Sequence, residues 1–167
     1  MPKKDITPKS KKSKLSSDRI DCMWGIICSL SSIDQQRNNI SIFNIIDQLT
    51  LPKKILAEEL KTKSIVQIGL EHELVILWRR AMPLHLCHNR LVVDVKISSI
   101  DPNGAIVGEV LNQIEFKPGN KIMRMRLQTM FLNITAEGDY VYKIEAIQPN
   151  ETNFKALFSV PYLVQFL

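Results

Sequence analysis

The stretch Ile65-Val-Gln-Ile-Gly-Leu-Glu-His-Glu-Leu-Val-Ile-Leu-Trp-Arg-Arg80 decides the fold class. Val66, Ile68, Leu70, His72, Leu74, Ile76 and Trp78 share one parity, and Gln67, Gly69, Glu71, Glu73 and Arg79 mostly fill the other. A period of two over this length predicts a long strand with one buried and one solvated side. The same alternation recurs at Leu91, Val93, Val95 and Ile97, and again at Met123, Met125, Leu127 and Phe131. Tyr140–Ala146 and Phe154–Phe166 extend the set, the latter placing Phe154, Ala156, Phe158, Val160, Tyr162, Val164 and Phe166 on one face.

Turn residues lie between these runs. Asp101-Pro-Asn-Gly104 is the strongest hairpin signal, Lys117-Pro-Gly-Asn120 suits a type II turn, and Glu137-Gly-Asp139 and Asn38-Asn39 mark two more. Cys22–Leu30 is apolar on both parities and reads as a strand in mid-sheet or between layers. Helix has less support. Ile42, Ile45, Ile46 and Leu49 follow helical spacing, and Pro52 precedes helix formers up to Leu60, predicting one or two short helical turns between residues 44 and 62 as a crossover. About eight strands with little helix predict an all-β, two-sheet antiparallel β-sandwich, with a barrel as the second choice.

The chain has 167 residues, 45% hydrophobic and 23% charged, with 8 Pro and 6 Gly. That is one domain of ordinary globular usage, and it excludes collagen-like and low-complexity classes. The formal charge is +5, and it is unevenly placed. Residues 1–19 hold seven bases and two acids, whereas residues 20–167 hold fifteen of each. Residues 1–19 also contain only Ile6 and Leu15 as large aliphatics, so they are expected to be a disordered basic tail ahead of a domain over 20–167. Lys3, Lys4, Lys9, Lys11, Lys12 and Lys14 are the candidate polyanion-binding residues, through salt-sensitive phosphate contacts to nucleic acid or through pairing with an acidic partner.

Three cysteines, Cys22, Cys28 and Cys87, make no disulfide framework, so a reducing, cytoplasmic setting is expected. The segment 22–30 resembles a signal core only superficially: Asp21 adjoins it and no small-x-small cleavage site closes it. No apolar run approaches the roughly 20 residues that span a bilayer.

The apolar run at Cys22–Leu30 is followed by Asn38-Asn-Ile-Ser-Ile-Phe-Asn-Ile-Ile46 and the Leu51-Pro52 crossover. Long strands around Asp101-Pro-Asn-Gly104, then Gly138-Asp-Tyr-Val-Tyr142 and a closing strand, complete the order. This order resembles an uncharacterised family of small microbial β-sandwich proteins over residues 21 to 166. The family has no assigned activity, so the resemblance implies the sandwich and no site residue. The basic tail is an addition to its pattern.

Candidate chemistry is sparse. His85-Leu-Cys-His88 places two imidazoles and a thiol within four residues, a density that could serve zinc or copper. A mononuclear zinc site wants about four ligands, and only His72 remains to supply one, so the expectation is a polar loop with a buried cysteine, without cofactor. Cys28 and His72 could face one another, but a thiol in an apolar strand is usually inert packing, and His72 is expected to be a core histidine with a hydrogen-bond partner. Glu71 and Glu73 are expected on a solvated strand face, and Asp34, Asp47, Asp101 and Asp139 are too scattered for calcium. Phosphate loops, nucleophile elbows and paired Cys-x-x-Cys motifs are missing from the sequence.

The expected function is therefore a non-enzymatic binding module. The alternatives are a structural or accessory subunit of a viral or mobile-element assembly, and a small metal-dependent or Cys/His enzyme using His85, Cys87 and His88. Lys121, Arg124, Arg126, Arg79, Arg80 and Arg90 would form a basic patch if they converge; as edge residues they block aggregation. Phe154–Leu167, apolar on both faces and carrying Pro161, is expected at an edge or bulge and at a homodimer interface.

Overall fold

The computed structural model describes residues 18–34 and 39–167; the six candidate lysines and the Asn38 side of its turn lie outside them. Nine strands and one α-helix form among the described residues: β1 (Ile20–Asp34), β2 (Asn39–Ile45), β3 (Gln48–Leu51), α1 (Lys53–Thr62), β4 (Val66–Arg80), β5 (Leu91–Ile100), β6 (Ile106–Phe116), β7 (Ile122–Ile134), β8 (Gly138–Ile147) and β9 (Phe154–Phe166). They make a four-stranded sheet in the order β2-β1-β4-β7 and a five-stranded sheet in the order β3-β9-β8-β5-β6. The protein is an all-β, two-sheet sandwich.

The alternation read from 65–80 holds. Leu74, Ile76 and Trp78 of β4 point between the sheets, where they meet Val93, Val95 and Ile97 of β5. Gly25 of β1 marks a close approach of the sheets, because a Cβ there would lie 2.7 Å from Val160 Cγ2. Asp101-Pro-Asn-Gly104 closes the β5–β6 hairpin with Gly104 at φ 83°, and Asp101 Oδ1 accepts from the amides of Asn103 and Ala105. Lys117–Asn120 joins β6 to β7 at the corner between the sheets, with Gly119 at φ 79°.

Three details differ from expectation. The pairing of β3 with β9 is parallel, so the sandwich is not wholly antiparallel. The helical spacing of Ile42–Leu49 reflects the crossing between sheets: the chain leaves β2 at Ile45, Asn44 turns at φ 50°, and Ile46 and Leu49 both reach the core. Helix begins only at Lys53. The register of β9 shifts by one opposite Ile144/Glu145, so Phe158, Val160, Tyr162 and Val164 face inward, while Phe154 lies outward under the Lys96 ammonium.

Pro161 falls where β9 has only β8 beside it, before β3 begins at the Leu163 register, which is where a strand tolerates a missing donor. Beyond it β3 occupies the β9 edge, and Leu167 donates to the Leu51 carbonyl. The edge that the C-terminal strand would offer a second copy is thus taken over residues 163–166. Asp18, assigned by composition to the tail, belongs to the fold: its carboxylate pairs with the buried Arg80 guanidinium, which also donates to the Asn89 carbonyl.

Candidate interaction surface

His85, Cys87 and His88 do not converge. A 3-10 turn over Leu84–Leu86 leaves both imidazoles exposed and turns Cys87 inward, where its thiol contacts the Met82 and Pro83 carbonyls. Among the described residues no group of three or more His, Cys, Asp or Glu side chains is placed to hold a metal ion. Cys28 and His72 lie on opposite faces of the four-stranded sheet.

His72 points into the core. Its Nδ1 donates to the Leu70 carbonyl at 2.9 Å, and its Nε2 takes the Tyr142 hydroxyl at 2.8 Å. Tyr140, Tyr162 and Tyr142 stack in succession with ring centroids 5.4 Å apart. Burial raises the Tyr142 phenol well above its ordinary range and pushes Tyr162 up to about 12, so both hydroxyls stay protonated and serve as structural bridges. Tyr140 closes the β7–β8 connection, accepting from the Thr135 and Ala136 amides and donating to the Ala136 carbonyl.

On the other side of the same sheet, Cys28 is opposite Glu73 in the β1–β4 register. Glu73 is 4% exposed, which corrects its expected solvated position. The Ser31 hydroxyl donates to it, and the Arg126 guanidinium lies 3.8 Å away while donating to the Ser31 carbonyl. These partners come from β1 and β7, which strand alternation within β4 does not reveal. Burial, then the nearby Glu73 charge, raises the Cys28 thiol, and burial pushes Cys22 up to about 12. Neither is a nucleophile at neutral pH.

The two outward faces of the sandwich differ. On the five-stranded sheet the outward positions form a charged ladder. Lys96 and Lys143 both pair with Glu145, Ser98 donates to Glu109, and Arg90 pairs with Glu115. On the four-stranded sheet, register places Trp24 beside Leu77 and Ile26 beside Val75, all turned away from the core cluster. Toward β2 this apolar area continues into Leu30, 55% exposed, Phe43 and Ile45, 64% exposed. Toward β7 it is bordered by Arg126 opposite Val75 and Arg124 opposite Leu77, with Arg79, held by Asp21, at one end. Part of the expected basic patch therefore converges: Arg79, Arg124 and Arg126 share a face, whereas Arg80 is buried against Asp18 and Arg90 pairs on the other sheet. The sequence carried a signal for this surface, since β1 and β4 are apolar at both parities around Trp24–Cys28 and Leu74–Leu77.

Between the edges of β6 and β7 the sandwich opens into a groove of about 270 Å³, with Ile97, Val110, Leu127 and Leu132 on its walls and Tyr142 among its lining residues. No helix among the described residues is long and apolar enough to cross a membrane.

Fold and surface together define a two-sheet β-sandwich whose four-stranded sheet carries an apolar outer area bordered by arginines. No family model matches the chain, and no curated protein matches it. Among solved structures it is similar to the Pseudomonas fluorescens alkylpurine DNA glycosylase AlkC bound to DNA containing an abasic site analog, at 15% identity and a TM-score of 0.38. That likeness covers 65% of this chain and 32% of the other, so the chain spans about a third of that structure. At this level it says nothing of activity here.

Proposed function

We propose that the chain is a non-enzymatic binding module whose four-stranded sheet docks a protein partner and whose N-terminal lysines tether it to nucleic acid or an acidic partner. The contrast between the two outer faces supports the docking. A sheet face turned to water ordinarily carries polar side chains, and the five-stranded sheet sets its exposed Val92 and Leu111 beside the Lys96, Lys143, Glu109 and Glu145 charges. Trp24, Ile26, Leu77, Leu30, Phe43 and Ile45 instead make a contiguous apolar surface, the kind that stabilises an interface by leaving water. The tether rests on the confinement of the surplus charge to residues 1–19. Three free thiols suit work in a reducing cytoplasm.

The test pairs two double variants with similarly exposed positions. Leu30→Glu with Ile45→Glu charges the proposed face, and Ile106→Glu with Leu111→Glu charges the other sheet. Partner retention from the source cell should fall in the first and persist in the second; equal retention in both overturns the docking reading. For the tether, deleting residues 1–17 should abolish oligonucleotide retention at about 50 mM salt and flatten the loss seen on raising it to about 200 mM. Unchanged retention overturns that half.

A further inference from the structure

We infer that the end of the sandwich formed by residues 81–90 and 117–121 seats on an anionic lipid surface, with Leu84 and Leu86 entering the headgroup layer. This goes beyond the docking of a protein on the four-stranded sheet. Only its use of the N-terminal lysines rests on the tether reading above.

Backbone bonds draw three parts of the chain together at this end. The Gly119 amide donates to the Cys87 carbonyl at 2.7 Å, the Arg80 amide to the Lys121 carbonyl at 2.8 Å, and the Ala81 amide to the Arg19 carbonyl at 2.7 Å. The loop 81–90, the turn 117–121 and the entry to β1 are therefore neighbours. Cys87 anchors the loop from its buried side, and the 3-10 turn ahead of it projects with no buried residue. Leu84 is 59% and Leu86 44% exposed, and Ile122, next to Lys121, is 49% exposed.

Cations are in surplus around these aliphatic side chains. Among the described residues the carboxylates at this end are already taken: Asp18 by Arg80, Asp21 by Arg19 and Arg79, Glu115 by two bonds from Arg90, and Glu151 of the 148–153 connection by Lys155. Lys117 and Lys121 come on top of these pairs, Lys117 within the field of the Glu115 that Arg90 holds. The lysine-rich residues 1–17 join the fold at the same place, through Asp18. Aliphatic tips ringed by bases match a bilayer surface, which takes up apolar side chains while its anionic headgroups attract lysines. A fluid surface needs no preformed cleft, only a projecting one-sided contact. Nucleic acid fits less well. Its unpaired bases stack on aromatic rings, whereas 81–90 and 117–121 contain no Phe, Tyr or Trp, and it would leave Leu84 and Leu86 in water. So small an apolar insertion holds only weakly by itself, and the lysines supply the second signal that stable attachment requires.

The test is flotation of the full chain with vesicles of phosphatidylcholine alone or with about 30% phosphatidylserine, at about 100 mM salt. Binding should be about tenfold or more tighter to the phosphatidylserine vesicles and should weaken as salt rises. Leu84→Ser with Leu86→Ser should lower it about tenfold while leaving oligonucleotide retention unchanged. Ile106→Ser with Leu111→Ser, at exposed positions away from this end, should alter neither. Lys117→Gln with Lys121→Gln should weaken vesicle binding several-fold. The inference is overturned by equal binding to both vesicle types, by no binding at about 1 mM lipid, or by vesicle binding that the Leu84/Leu86 variant retains in full. In that last case, loss on deleting residues 1–17 assigns the contact to the tail alone. A matching loss of oligonucleotide retention in the Leu84/Leu86 variant makes nucleic acid the occupant and also overturns it. The tether reading fails separately, when deleting residues 1–17 leaves oligonucleotide retention as it was.

Discussion

His72 stands where the alternation of β4 calls for an aliphatic residue, and the Leu70 carbonyl and the Tyr142 hydroxyl make that position tenable. Replacing His72 with Leu takes the imidazole partner from the buried Tyr142 hydroxyl, so unfolding free energy should drop by about 1–3 kcal/mol in urea titrations. Adding Tyr142→Phe removes that hydroxyl, and the double variant should regain part of the loss, with a coupling of about 1 kcal/mol. Asp101 is a second such position. The Thr135 hydroxyl at 2.7 Å, with the Ala105 and Asn103 amides, outweighs burial and holds its carboxyl below the usual range. A depressed carboxyl contributes stability that is present above its unfolded value near 4 and disappears as pH falls through the folded value. Thr135→Val should therefore cost about 1 kcal/mol at pH 7. Its gap from the parent protein should narrow on acidification through that window, as followed by thermal melts. The sequence showed His72 as a core histidine and Cys87 as a buried thiol, because each is judged by its immediate neighbours. It misplaced Glu73, because the groups that bury it arrive from β1 and β7.

At the level of elements, Gly25 sets how closely the two sheets meet. A methyl group there collides with Val160 Cγ2 and comes within 3.4 Å of Ile144 Cδ1. Gly25→Ala should destabilise by about 1–3 kcal/mol, and Val160→Ala in the same chain should return much of it, both read from urea midpoints. Strands with seven or more alternating residues, and hairpins with Asn-Gly or Pro-Gly at the bend, were legible because local chemistry alone specifies them. β3 was not. Its four residues, Gln48–Leu51, are too few to show a period, and they are extended because β9 receives them in parallel. The displacement of Phe154 to the outside was hidden for the same reason: a one-residue shift in β9 is negotiated with β8 and leaves no mark in the order of residues.

For the whole molecule, what matters is which surfaces the core needs and which it does not. Leu30 and Ile45 lie outside the core cluster, so Leu30→Glu with Ile45→Glu should change unfolding free energy by only about 0.5 kcal/mol in differential scanning calorimetry. A larger loss would mean that the face is internal packing and not a docking surface. The apolar outer face was half visible in the sequence, since excess apolar residues show in β1 and β4, while the arginine border depends on the β4–β7 register. The pairing of distant strands also has a kinetic meaning. The Gln48 side chain meets that of Gln165 across 117 positions, and the Ile20 amide meets Gln148 across 128. Closing loops of that span is slow, which puts folding on the scale of milliseconds to seconds. Over that interval β1, greasy on both sides, waits for partners drawn from nearly the whole chain, and it is the segment a chaperone would grip.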